Sequence, residues 1–140
     1  MLYYVYNNLK NKIKMHKILL TEKVLIAEDN TAMSSLLAHK LKHEGFEVTT
    51  AENGKIALED LQSNTYNLLL MDLTMPEMDG FHLLMEIKKL NIQIPVIVMS
   101  SLSQTEDRQR AIALGATKFI IKTEVTPNII VDEIKKTLGI

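Results

Sequence analysis

The chain has 140 residues, 46% apolar and 24% charged, an ordinary composition for one globular domain large enough to bury a continuous core. The absence of cysteine excludes disulfide scaffolds, thiolate zinc sites and cysteine nucleophiles, and no apolar run approaches the about eighteen residues of a membrane span. The net charge of −1 is unevenly spread: four lysines and no acid precede Glu22, leaving residues 22–140 with 12 basic and 17 acidic side chains, a net of −5 that suits no phosphate backbone, so direct nucleic-acid binding is not expected.

Residues 1–21 stand apart as a flexible N-terminal extension, with residues 22–140 forming the domain. The extension carries Tyr3, Tyr4 and Tyr6, and its interleaved lysines and apolar residues also fit a membrane-surface segment. It is not a secretory leader, because its lysines follow the apolar residues rather than precede them. Met15 opens Met-His-Lys-Ile-Leu-Leu, an equally good start, which makes residues 1–14 a tail.

Val24 to Ala27 is a short apolar run typical of a strand buried on both faces. Met33, Leu36, Leu37 and Leu41 then recur at helical spacing, and Gly45 marks the stop. Phe46 to Thr50 alternates as a strand, and Asn53-Gly54 leads into a second helix with Ile56, Ala57 and Leu61. Leu68 to Met71 is a third strand, followed by a loop and a helix carrying Leu83, Leu84, Ile87 and Leu90. Pro95 opens the fourth strand, Val96 to Met99, where proline is tolerated. A fourth helix, about Gln104 to Leu114, ends at Gly115, and Phe119 to Ile121 is the fifth strand. Thr126 and Pro127 cap the last helix, which stacks Ile130, Ile134 and Leu138. Five strands alternating with five helices predict an α/β, doubly wound (βα)5 domain with a parallel sheet covered on both faces.

Such sheets bind ligands beyond the carboxyl ends of their strands. There the first strand delivers Glu28-Asp29-Asn30, the third Asp72, the fourth Ser100-Ser101 and the fifth Lys122. Taken singly, each has an ordinary reading: a helix start, a turn cap, a loop hydroxyl, a solvated charge. Taken together, three carboxylates on one rim repel unless cations offset them, and hard oxygen ligands suit Mg²⁺. The set also holds what phosphoryl transfer requires, namely a carboxylate nucleophile, a metal site and a lysine acting as a point charge. No glycine-rich phosphate cradle is present, which excludes a P-loop.

The segments Val24 to Asn30 (VLIAEDN), Leu70 to Gly80 (LMDLTMPEMDG), Val96 to Ser101 (VIVMSS) and Gly115 to Lys122 (GATKFIIK) resemble the receiver domain of two-component response regulators. The likeness covers roughly residues 23–138 in order and spacing. It implies a flavodoxin-like sheet of strand order 2-1-3-4-5, a cytoplasmic location, and Asp72 as phosphoacceptor for a sensor histidine kinase or a histidine phosphotransfer protein. It further implies Mg²⁺ held by Asp29, by Glu28 through water, by Asp72 and by the backbone carbonyl of Thr74. Lys122 then contacts the acyl phosphate, Ser100 is the hydroxyl that moves toward it, and Phe119 is the aromatic switch coupled to that movement. Two departures stand out. Thr123 follows Lys122 where the family usually has proline, so a trans bond is expected, and Ser101 replaces a small apolar residue.

The chain ends directly after the fifth helix, so the expectation is a stand-alone receiver. Its output to a downstream protein target passes through the surface of the fourth helix, fifth strand and fifth helix, and a homodimer is a further partner it allows. It is expected to be no enzyme beyond slow autodephosphorylation, because Thr74 and Leu102, which flank the attacking water, offer neither acid nor amide. Three alternatives remain: an adaptor that works without phosphorylation, a Mg²⁺-dependent aspartyl-phosphate phosphatase, and an FMN carrier. Thr74 argues against the phosphatase, since that chemistry places an acid at its position, and the acidic first loop would repel a flavin phosphate.

Overall fold

The computed structural model describes residues 1–19 and 21–140, with side chains for residues 1–12 and 21–140. The Met15 to Leu20 segment, read as an alternative start, therefore lies outside the described side chains. Five strands, β1 (Lys23–Ala27), β2 (Glu47–Ala51), β3 (Leu68–Asp72), β4 (Val96–Ser100) and β5 (Lys118–Ile121), form one parallel sheet in the order β2-β1-β3-β4-β5. The helices are α1 (Leu2–Leu19), α2 (Thr31–His43), α3 (Gly54–Ser63), α4 (Gly80–Lys89), α5 (Thr105–Ala113) and α6 (Pro127–Leu138), with a 3₁₀ turn at Lys122–Glu124.

The three central strands are apolar almost throughout because both of their faces are covered. Successive side chains alternate across the sheet and feed two separate cores. Leu25, Ala27, Leu69, Met71, Val96 and Val98 pack with Ala57 and Leu61 of α3, Leu83, Leu84 and Ile87 of α4, and Ala111 of α5. Val24, Ile26, Leu68, Leu70, Ile97 and Met99 pack with Leu37 and Leu41 of α2 and Ile130 and Ile134 of α6. Fully burying one such side chain contributes about 1.5–3 kcal/mol, so the sheet is a rigid base for whatever its rim carries. The edge strand β2 is largely exposed and β5 only half-buried.

Local signals start and stop the helices where the sequence suggests. The side chains of Asn30, Asn53, Asp79 and Thr126 accept the backbone N–H of Met33, Ile56, His82 and Ile129. Gly45 adopts φ 98° just beyond α2, a conformation that costs glycine nothing. On α5, Arg110 sets its guanidinium 4.1 Å above the Phe81 ring, tying that helix to α4.

Three differences from the sequence reading are physical. Residues 1–21, read as a flexible extension or a membrane-surface segment, carry the helix α1. Its Leu2, Val5, Tyr6 and Leu9 fall at helical spacing, and neither glycine nor proline interrupts residues 1–21. Leu36 and Leu90, counted with the apolar faces, are exposed, because α2 buries Ser34 and Ala38 instead and α4 ends at Lys89. The second strand starts one residue later than expected, which frees the buried Phe46 to join the core beneath α2.

Candidate functional site

The strand order reverses between β1 and β3, and the carboxyl ends of these two neighbours bring the acids together. Glu28 and Asp29 follow β1, and Asp72 is the last residue of β3. Glu28, Asp29 and Asp72 each offer a carboxylate oxygen within 4.8 Å of the others. Glu28 and Asp72 are buried, while Asp29 is exposed.

Lys122, immediately after β5, reaches across this rim. Its ammonium donates to Glu28 Oε2 at 2.7 Å and to Asp72 Oδ2 at 2.9 Å. The 3₁₀ turn at Lys122–Glu124 starts the loop, and among the described residues every peptide bond is trans, as expected for Lys122-Thr123. The other oxygen of each buried carboxylate accepts one backbone donor: Asn30 N–H to Glu28 Oε1 at 3.2 Å, and Thr74 N–H to Asp72 Oδ1 at 3.2 Å.

One ammonium faces three carboxylates, so the cluster remains anionic. Burial pushes the Glu28 carboxyl above its ordinary value; the Lys122 hydrogen bond opposes this, and the neighbouring Asp72 charge adds to it. Burial would depress Lys122, but its hydrogen bonds to Glu28 and Asp72 outweigh burial and raise it. The lysine is held charged, and at Glu28 burial outweighs what the lysine contact gives back. Three hard oxygen donors with residual negative charge fit a magnesium-sized cation, and this acidic cluster could hold one.

Ser100 and Phe119 lie on the neighbouring strands. Ser100 follows Met99, the register partner of Asp72, and itself pairs with Ile121, one residue before Lys122. It is fully buried, and its Oγ accepts the Leu102 N–H at 3.0 Å. Phe119 is half-buried against the core shared by α3, α4 and α5. Thr74 is exposed, and the contact it makes is through its N–H rather than its carbonyl.

Gly80 and Gly54, legible in the sequence only as turn residues, have a packing role at the site. A Cβ on Gly80 would lie 2.7 Å from Leu73 Cα and 2.8 Å from the Asp72 carbonyl oxygen, so only glycine lets α4 press on the backbone that carries Asp72. A Cβ on Gly54 would lie 2.2 Å from the Met78 carbonyl oxygen, fixing the loop between β3 and α4 against α3. The signal was the Asp-Gly and Asn-Gly pairs, which the sequence also explains as ordinary turn chemistry.

Comparison with known proteins agrees with this geometry. The family model described as the response regulator receiver domain matches residues 24–135. The chemotaxis protein CheY of Bacillus subtilis is 37% identical over 121 residues, which cover 86% of this chain and all of that protein. The transcriptional regulatory protein ZraR of Escherichia coli is 36% identical over 99 residues, 71% of this chain; the chain spans only 22% of that regulator and 15% of the gliding motility regulatory protein of Myxococcus xanthus. Among solved structures, the receiver domain of the Francisella response regulator 1452 superposes with a TM-score of 0.80 at 28% identity, covering 85% of this chain and 98% of that one. The chain belongs to the response regulator receiver domains of two-component systems.

Proposed function

We propose that Asp72 accepts a phosphoryl group from a histidine kinase or a histidine phosphotransfer protein and that the resulting acyl phosphate switches the surface offered to a downstream protein target. The observation that carries this reading is the Lys122 ammonium shared between Glu28 and Asp72, with the Asp29 carboxylate within 4.8 Å. In the transfer, an Asp72 carboxylate oxygen attacks phosphorus, the P–N bond to the donor imidazole breaks, and its electron pair stays on the ring nitrogen.

Asp29 and Asp72, with the Thr74 carbonyl and with Glu28 through water, are the residues that would hold Mg²⁺. The ion supplies charge neutralisation for the phosphoryl oxygens. Lys122 is positioned to release Glu28 and pair with the phosphoryl oxygens as they arrive, while the Thr74 N–H orients the Asp72 carboxylate for attack.

The modification adds about −1.5 to −2 charges and three strong acceptor oxygens. In this reading the Ser100 hydroxyl turns from the Leu102 N–H toward them, the loop after β4 follows, and Phe119 takes the space vacated. Inverting a 1:99 population needs about 5.5 kcal/mol. A few charge-assisted hydrogen bonds of about 1.5–3 kcal/mol each suffice. The output surface is then that of α5, β5 and α6.

The test is incubation with acetyl phosphate and Mg²⁺, followed by intact-protein mass measurement. A gain of one phosphoryl group that Asp72→Asn abolishes is expected. No gain in the wild-type protein, or an equal gain in the variant, refutes the assignment.

A further inference from the structure

Helix α1 lies outside the five alternating strand–helix units and carries, among its described side chains, an organised surface of its own. Leu2, Val5, Tyr6 and Leu9 recur at i, i+3, i+4 and i+7 and expose 88%, 50%, 62% and 58% of their surface. At about 100° per residue, these four form one stripe, Lys10 and Lys12 fall on its two flanks, and Asn7 and Asn11 lie opposite together with the amphipathic Tyr4. We propose that α1 lies in the plane of an anionic lipid surface and docks the protein there.

Charge selects the occupant. Residues 1–21 carry four lysines and no acid, whereas residues 22–140 are net negative. An anionic bilayer attracts the helix and repels the acidic domain, so docking is confined to the helix and the phosphoacceptor rim stays free. Lysines flanking an apolar stripe bury their methylene stems while the ammonium groups reach the headgroups, and tyrosine suits the same depth. The helix lies on the surface rather than spanning it, since no helix among the described residues is long and apolar enough to cross a membrane.

A second copy of the helix is the poorer occupant. Self-pairing would set lysine against lysine with no carboxylate in the segment to offset them. A stripe of four side chains also falls well short of the about 1,200 Å² of a stable protein interface.

The full chain is tested by sedimentation with vesicles of phosphatidylglycerol and phosphatidylcholine in equal parts, against vesicles of phosphatidylcholine alone. The wild-type protein is expected to sediment with the first and not the second, and to be released by high salt. Each lysine contributes about a fivefold factor, so Lys10→Gln with Lys12→Gln should weaken partitioning about 25-fold. Val5→Asn with Leu9→Asn should weaken it with the charge unchanged. Equal binding to both vesicles, binding to neither, or a wild-type dimer in ultracentrifugation that the Val5→Asn, Leu9→Asn pair disrupts would overturn the proposal. The wild-type comparison decides without any variant, and the acetyl phosphate reaction reports separately on the domain.

Discussion

Replacing Lys122 by methionine is the sharpest probe of the electrostatics at the rim. The ammonium lies 2.7 Å from Glu28 and 2.9 Å from Asp72, and its side chain is 15% exposed against 1% and 8% for the acids. Losing one member of so buried a group costs about 3–5 kcal/mol when the remaining charges cannot adjust. Here they can, because Glu28 is already displaced upward by burial and can take a proton. Starting from its ordinary value of 4.5, protonation at pH 7 costs about 3 kcal/mol, which caps the loss; at pH 5 the same step costs less than about 1 kcal/mol. An acid whose pKa is raised in the folded state favours folding at low pH and loses that contribution as pH rises through the raised value. Urea unfolding in EDTA should therefore show Lys122→Met destabilised by about 2–3 kcal/mol at pH 7 and by about 1 kcal/mol or less at pH 5. A variant as stable as the wild type at pH 7, or one equally destabilised at both pH values, would show that the three carboxylates do not repel as described.

Other consequences follow from the same geometry. Gly80→Ala places a methyl against the backbone of Leu73 and Asp72, which cannot yield as the Met71 tip can, so equilibrium unfolding should report a loss of about 1–3 kcal/mol, with slower acetyl phosphate uptake. Glu77 centres a tight turn at φ 66°, with the Met78 N–H donating to the Pro76 carbonyl at 2.7 Å. Glu77→Gly removes that strain and should stabilise the protein by about 0.5–1 kcal/mol net of the extra freedom of the unfolded chain, and a fall in stability would contradict the strained turn. Because neither Thr74 nor Leu102 can orient a water through an acid or amide, the phosphorylated protein should persist for minutes or longer after excess acetyl phosphate is removed. Decay within seconds, followed by mass, would count against this.

Much of the fold was legible because the central strands are buried on both faces. Val24 to Ala27, Leu68 to Met71 and Val96 to Met99 have no polar interruption, and a run of that length has few other uses. The rim was legible for a related reason: a charged residue ending such a run must emerge at the strand's carboxyl end, as Glu28 and Asp72 do. Edges were less so. Phe119 sits on the outer strand β5 and is only half-buried, so its surroundings depend on neighbouring helices rather than on its own run. Leu36 was misplaced because helical spacing alone does not separate the centre of an apolar face from its flank. The helix α1 was hidden by its tyrosines, asparagines and lysines, which blur the apolar periodicity. Backbone donors such as the Thr74 and Asn30 N–H groups leave no mark in side-chain identity at all.

In the proposed reaction Asp72 is the carboxylate that carries phosphate. Borohydride reduces an acyl phosphate to an alcohol and so converts a phosphorylated aspartate into homoserine, which peptide mass spectrometry locates by residue. After treatment with acetyl phosphate and Mg²⁺, homoserine should be found at position 72 and should vanish when EDTA replaces the metal. Homoserine at position 29, or at none of the aspartates, would contradict the central claim.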